Sequence, residues 1–262
     1  MMIKLMVMGL KLDIRLANGY KSPSQRARRI TEGWFAENAY CPACPSNKLV
    51  PTRDNTRVVD FICPSCKAEF QLKAKSTPLG KKIRDAAYQP MIERVLANRS
   101  PHFVFMHYDR NALEVRKVLL VPGHFITPSV IEKCKPLSAS ARRHDWVGCN
   151  ILLDKIPPDG QLTVVSHEGI LPQQQVRQMW KRFSWLGKVL PESRGWLMDV
   201  LLCIRRIGKG EFTLSDVYKF ENELSLMHPN NRNIRAKIRQ QLQLLRDKGI
   251  IRFLGRGRYI TV

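Results

Sequence analysis

Three side chains could do chemistry together. Asp60 is followed, after ten intervening residues, by Gln71-Leu72-Lys73. Val58 to Ile62 and Ala68 to Ala74 read as two strands. Alternation puts Phe70 and Leu72 on a core face and Glu69, Gln71, Lys73 and Lys75 on the other. Gln71 and Lys73 therefore point the same way, beside the strand that carries Asp60. An acid, an amide oxygen and an amine converging on one spot suit a hard cation such as Mg²⁺, which prefers oxygen ligands. Such a cation can polarise a phosphoryl oxygen and lower the pKa of water. Lys73 would orient that water or stabilise charge on the phosphorane. Register decides whether the group assembles. A hairpin symmetric about Pro64-Ser65 sets Asp60 opposite Glu69, and only an asymmetric turn sets it opposite Gln71; Glu69 stays an alternative ligand.

The turn between these strands carries a second metal pattern. Cys41-Pro-Ala-Cys44 and Cys63-Pro-Ser-Cys66 are two C-x2-C knuckles separated by 18 residues, within the zinc-ribbon range. Four thiolates close the tetrahedron around Zn²⁺, so this metal is structural rather than catalytic. Cys134, Cys149 and Cys203 lack such spacing and read as buried thiols. An odd total of 7 cysteines fits metal ligation in a reducing compartment better than a disulfide framework.

Other elements must hold this hairpin. Ser22-Pro23-Ser24-Gln25 reads as a capping box with Pro at N1, opening a helix that turns Ala27, Ile30 and Trp34 inward. Glu32 or Glu37 on that helix could reach the cation site from the side. Lys81 to Asn98 reads as a helix containing Asp85 and Tyr88, bent at Pro90. Phe103 to Tyr108, Glu114 to Val121 and Leu162 to Ser166 read as strands. Helix, hairpin, helix and strand make an α/β core.

Charge narrows the partner. The 262 residues carry 44 Lys+Arg against 22 Asp+Glu, a formal charge of +22, and a polyanion explains that excess best. The apolar N-terminal run is uninterrupted only from Leu5 to Leu10, far short of the ~20 residues of a membrane span. It has no clear signal cleavage site. The chain is expected inside the cell.

The tail is polarised. Glu192 to Glu223 holds five basic and six acidic residues, whereas Arg232 to Arg258 holds nine basic and one acidic. Arg194 to Arg206 reads as one helix, and Thr213 with Asp216 opens a second. Asn231 to Lys248 makes a third, with Ile234, Ile238, Gln241, Leu242 and Leu245 inward and Gly249 at its C′ position. Ile250 to Leu254, the turn Gly255-Arg256-Gly257 and Arg258 to Val262 make a hairpin. Three helices and a basic-tipped hairpin form a winged helix. Its third helix, with Arg232, Arg235 and Arg239, would enter the major groove, and Arg256 and Arg258 would meet phosphate. A protein-binding winged helix is the competing reading. The chain divides near Pro191, into residues 1–190 and 191–262.

These residues carry a family likeness. Asp60, ten residues and Gln71-Leu72-Lys73 resemble the PD-(D/E)XK nuclease motif. TEGW at 31–34, the CPxC knuckles, DFxC at 60–63, EFQLKxK at 69–75, PLSASARRHDWVGCN at 136–150, SRGW at 193–196, and IRQQLQLLRDKGII with GRGRY at 238–259 resemble the DpnI-like methyl-directed type II restriction endonucleases. The likeness spans nearly the whole chain in order. It implies an α/β, PD-(D/E)XK restriction-endonuclease-like core with a zinc-knuckle hairpin, followed by a C-terminal winged-helix domain. It also implies a prokaryotic, cytoplasmic, monomeric enzyme that cuts duplex DNA at GATC sites bearing N6-methyladenine. Asp60, Gln71 and Lys73 would be the catalytic residues, with Mg²⁺ on Asp60 and Gln71 and Zn²⁺ on Cys41, Cys44, Cys63 and Cys66.

One departure bears on activity: the motif's middle acid falls on Gln71, which removes a negative charge from the metal cage. The site works with an amide, the residue was substituted to disable it, or the protein binds methylated DNA without cutting. An RNA-binding zinc-ribbon protein is a further rival, disfavoured by the winged helix. Methyl reading has its own energetics. A buried methyl contributes ~0.8 kcal/mol, below the ~1.4 kcal/mol of a tenfold preference, so two methyls or two domains must test the site together. Trp146 could wall a methyl pocket or fill a core. Arg142 and Arg143 beside it suit phosphate or guanine, or stand as solvated charges.

Overall fold

A computed structural model describes residues 8–53, 58–138, 140 and 142–262. The apolar run from Leu5 lies partly outside them. Among the described residues no helix is long and apolar enough to cross a membrane.

The first two thirds are built on a seven-stranded sheet of order β1-β2-β3-β5-β6-β9-β10. Its strands are β1 (Val50–Pro51), β2 (Phe61–Ile62), β3 (Glu69–Lys75), β5 (His102–Asp109), β6 (Glu114–Val121), β9 (Leu162–Ser166) and β10 (Gly169–Ile170). All neighbours are antiparallel except β3 and β5. A parallel pair cannot be joined by a tight turn and needs a crossover. Here the crossover is β4 (Lys82–Ala87) and α2 (Tyr88–Leu96). β4 joins β7 (Ile131–Lys133) and β8 (Gly148–Leu152) in a three-stranded sheet of order β4-β8-β7.

Two apolar clusters cover the faces of the large sheet. Phe70 and Leu72 pack with Val104, Met106, Ile30, Trp34 and Phe35, the last three from α1 (Pro23–Asn38). Phe103 and Phe105, which pair with Gln71 and Lys73 across β3–β5, pack instead with Ile83, Met91, Ile151 and Val121. The face of Gln71 and Lys73, opposite the one expected to be core, is therefore roofed by β4 and α2.

Several sequence expectations are corrected. Residues 82–87 form a strand, and Pro90 lies in the first turn of α2, where its missing N–H costs nothing; no bend is required. The strand into the second knuckle is only Phe61–Ile62, and Val58 has φ +66°. Ser22 makes no capping bond, because its hydroxyl meets Ser24 Oγ at 2.9 Å. Cys134 is half-exposed, whereas Cys149 and Cys203 are buried as expected.

After α3 (Gln173–Phe183) comes the winged helix: α4 (Pro191–Ile207), β11 (Glu211–Thr213), α5 (Leu214–Tyr218), α6 (Glu221–Met227), α7 (Ile234–Asp247), β12 (Ile251–Gly255) and β13 (Arg258–Thr261). The second helix expected from sequence is thus two short ones. Its capping box is present: Thr213 Oγ1 accepts the Asp216 N–H, and Asp216 accepts the Thr213 N–H. α7 buries Ile234, Ile238, Gln241, Leu242 and Leu245. It ends in a Schellman motif, with Gly249 at φ +67° and the Ile250 N–H on the Leu245 carbonyl. β13 pairs with β11 and β12.

Candidate active site and nucleic-acid interface

The four cysteines of the knuckles come together. Cys41 Sγ lies 3.6 Å from Cys66 Sγ, and Cys44 Sγ 3.5 Å from Cys63 Sγ; all four sulfurs lie within 4.8 Å of one another. A tetrahedron with Zn–S of about 2.3 Å has edges of about 3.8 Å, so the cluster fits a structural zinc. Arg177 of α3 anchors the first knuckle from outside, donating to the carbonyls of Cys41 and Ser46 at 3.1 Å.

The second knuckle also sets the register of the hairpin. The Cys63 N–H bonds the Ala68 carbonyl, the Lys67 N–H returns to the Cys63 carbonyl, and Lys67 takes φ +63°. This loop places Phe61 opposite Phe70 and Ile62 opposite Glu69. Asp60 thereby falls beside Gln71, and its N–H bonds the Phe70 carbonyl at 2.9 Å. The turn is the asymmetric one. Glu69 is drawn away by an ion pair with Arg94 of α2, which disposes of it as an alternative ligand.

Because β2 is two residues long, the outer edge of β3 beyond Gln71 lacks a strand partner among the described residues. Asp60 fills in there: its Oδ2 accepts the Leu72 N–H at 2.8 Å. Burial raises the Asp60 carboxyl above its usual range, a push that the Leu72 N–H and the charges of Lys73 and Arg28 oppose. Gln71 is buried, and among the described residues its Oε1 accepts no hydrogen bond. A buried acceptor left in that state is costly, and an amide oxygen on the residue paired with Asp60 is a kind of donor that a hard cation accepts. Lys73 Nζ lies 2.5 Å from Oδ1 of Asp85 on β4.

A cleft of about 540 Å³ opens at this edge. Asp60, Lys73, Lys75, Lys82 and Arg84 line it together with Arg28 and Glu32 of α1. Glu32 accepts from Arg28 Nε at 2.6 Å, whereas Glu37 is exposed and does not line the cleft. Sequence reasoning missed Lys82 and Arg84 as cleft groups and Asp85 as the buried partner of Lys73. The available signal was the alternation Lys82-Ile83-Arg84-Asp85, which is that of a strand with Ile83 and Asp85 inward.

Trp146 is neither core nor free. It is half-buried against Gly148, and the Arg84 guanidinium sits 5.8 Å from its ring. Arg142 and Arg143 are exposed. On the winged helix, Arg232, Arg235, Arg239, Arg256 and Arg258 are also exposed. Arg235 is paired with Glu221 at 2.8 Å and lies over the Tyr218 ring, and Arg239 donates to the Tyr218 hydroxyl at 2.7 Å. Arg256 holds φ +49° between Gly255 and Gly257 at the tip of the wing.

The combination defines a class: a restriction-endonuclease-like α/β domain with a zinc-knuckle hairpin, joined to a winged helix of the kind that binds DNA. The family model of the DpnI Dam-replacing family matches residues 8–189, and that of the Dam-replacing HTH domain matches residues 192–261. The chain belongs to the DpnI Dam-replacing family, which makes it a nuclease of the methyl-directed restriction type.

Proposed function

We propose that the protein is a Mg²⁺-dependent type II endonuclease that hydrolyses duplex DNA at GATC sites carrying N6-methyladenine. The observation that carries this reading is the hairpin register that sets Asp60 beside Gln71, whose buried Oε1 is unpartnered among the described residues, with Asp60 and Lys73 lining a cationic cleft. Residues 1–190 would cut, and residues 191–262 would dock on the duplex.

Asp60 and Gln71 would hold the Mg²⁺. When bound, the cation supplies charge for the scissile phosphate and a lowered pKa for water. Lys73 then orients the attacking water or stabilises the phosphorane with its ammonium. Lys75, Lys82 and Arg84 seat the backbone phosphates along the cleft. Cys41, Cys44, Cys63 and Cys66 hold Zn²⁺, which fixes the turn and hence the register that brings Asp60 to Gln71.

α7 would enter the major groove with Arg235 and Arg239, with Arg232 in the loop just ahead of the helix rather than on it as expected from sequence, and Arg256 and Arg258 would grip phosphate from the wing. Trp146 walls the pocket for the adenine methyl, and Arg142 and Arg143 contact the DNA beside it. Each domain tests the same modified site, because one methyl contact of ~0.8 kcal/mol is too weak alone. The enzyme acts as a monomer inside the cell.

The neutral Gln71 favours a second reading, in which the chain binds methylated DNA without cutting it. Incubation with Mg²⁺ and matched plasmids from methylating and non-methylating hosts separates the two. Cleavage of the methylated plasmid alone supports the endonuclease. Retardation without cleavage, with cutting gained on Gln71→Glu, supports the binder. Cleavage of both plasmids alike contradicts methyl direction.

A further inference from the structure

We infer that Asp85 is a positioning residue of this cleft: it holds the Lys73 ammonium off Asp60, and so leaves Asp60 and Gln71 free to receive a divalent cation. The inference rests on the reading of Asp60 and Gln71 as the cation site.

Asp85 is the most enclosed acid near the cleft, its side chain 0% exposed, on the strand that the β3–β5 crossover lays over the Gln71/Lys73 face. A carboxylate so deep is tolerated only with a cation against it. Lys73 is that cation, at 2.5 Å, with its own side chain 22% exposed. Among the described residues the other Asp85 oxygen meets only the Cys149 thiol at 3.9 Å, a weak donor. Among the described residues Lys73 has no other ion pair, and none joins it to Asp60.

The alternative pairing is nonetheless close at hand. The charges of both Lys73 and Asp85 are felt at the Asp60 carboxyl, in opposite senses. Two acids thus compete for one ammonium, and the buried one holds it. The outcome suits a cation site that has lost a charge at position 71. With Asp60 the sole anionic ligand, an ammonium resting on it would displace the metal. Asp85 prevents this, and its negative charge adds to the field at the site from behind. Neither oxygen of Asp85 needs to touch the metal.

The test is Mn²⁺ binding to the full chain with a methylated duplex, followed by the EPR signal of free Mn²⁺. Zinc content and thermal unfolding confirm that each variant is folded. Asp85→Asn keeps the shape, releases the ammonium and should weaken Mn²⁺ binding about tenfold or more. Adding Lys73→Gln removes the released competitor, so the double variant should return to within about threefold of wild type. Cleavage stays lost, since Lys73 is gone. Wild-type Mn²⁺ affinity in Asp85→Asn overturns the inference. So does a double variant that binds no better than the single, since Asp85 would then be a ligand itself. Failure of the wild-type chain to bind Mn²⁺ removes the cation-site reading, and the inference with it. If Asp85→Asn does not fold, the double variant, which buries no unpaired charge, carries the test alone: near-wild-type affinity upholds the inference and lost affinity ends it.

Discussion

The carboxylate of Asp60 accepts the backbone N–H of Leu72 at 2.8 Å. One side chain thus completes the edge of β3 and presents an anion to the cleft. The two jobs separate by substitution. Asp60→Asn keeps an oxygen for the Leu72 N–H and should unfold within about 0.5 kcal/mol of wild type. Asp60→Ala leaves that N–H unsatisfied and should lose about 1–3 kcal/mol. Both should lose cleavage. Urea unfolding beside a cleavage assay checks this, and equal stabilities would show that the Leu72 bond contributes nothing.

The zinc cluster controls the register of the hairpin, so metal removal should act on catalysis from a distance. Chelation, or Cys63→Ser, releases the turn that sets Phe61 against Phe70. Cleavage and thermal stability should fall together, because the energy of a structural zinc site is folding energy. Calorimetry with and without a chelator, with zinc counted by absorption, provides the measurement. Retained cleavage in zinc-free protein would separate the knuckles from the active site.

The winged helix is tied to the nuclease portion by charge as well as by packing. Arg205 of α4 grips both carboxylate oxygens of Asp159, at 2.6 and 2.7 Å, and the Asp159 side chain is only 8% exposed. Arg205→Ala strands that carboxylate and should destabilise the protein by about 3 kcal/mol. Arg205→Met with Asp159→Leu removes both charges and should recover most of the loss. Denaturant midpoints of the two variants test the pair.

Much of this was legible from sequence, and the exceptions have physical causes. The knuckles, the core strands, the Thr213–Asp216 capping box and the inward face of α7 depend on spacing within one segment, and spacing is what a sequence displays. The Asp60–Gln71 pairing was left open because it turns on Lys67 adopting a left-handed backbone, a choice dictated by loop closure around the thiolates. Asp85 was placed on a helix because Ala86, Ala87 and Tyr88 continue smoothly into α2. Its role follows from a crossover that only tertiary structure displays. Ser22 had the residue types of a capping box, but its hydroxyl found Ser24 instead.

Two histidines near the junction with α4 predict acid sensitivity. Burial pushes His124 down to about 3, helped by nearby His102 and Arg194, and burial pushes His102 down to about 4. Among the described residues His124 Nε2 has no hydrogen-bond partner, and the Trp180 ring lies 4.6 Å from His102 and 6.0 Å from His124. The native state holds both rings neutral, while the unfolded chain takes up protons near 6.5. Their contribution is therefore intact above about pH 6.5 and lost progressively as pH falls toward about 4 and then 3. Melting temperature followed from pH 7 to pH 4 should decline, and His124→Leu should flatten the decline. An unchanged slope in that variant would mean that other groups govern acid unfolding.

The most direct test of the central claim is where a divalent ion sits on the folded chain. Crystals of the protein with a methylated GATC duplex and Mn²⁺, measured at the manganese edge, should show an anomalous peak bonded to an Asp60 oxygen and to Gln71 Oε1, with the scissile phosphate against it. A peak held elsewhere, or none at that pair while the DNA is bound, would contradict the account.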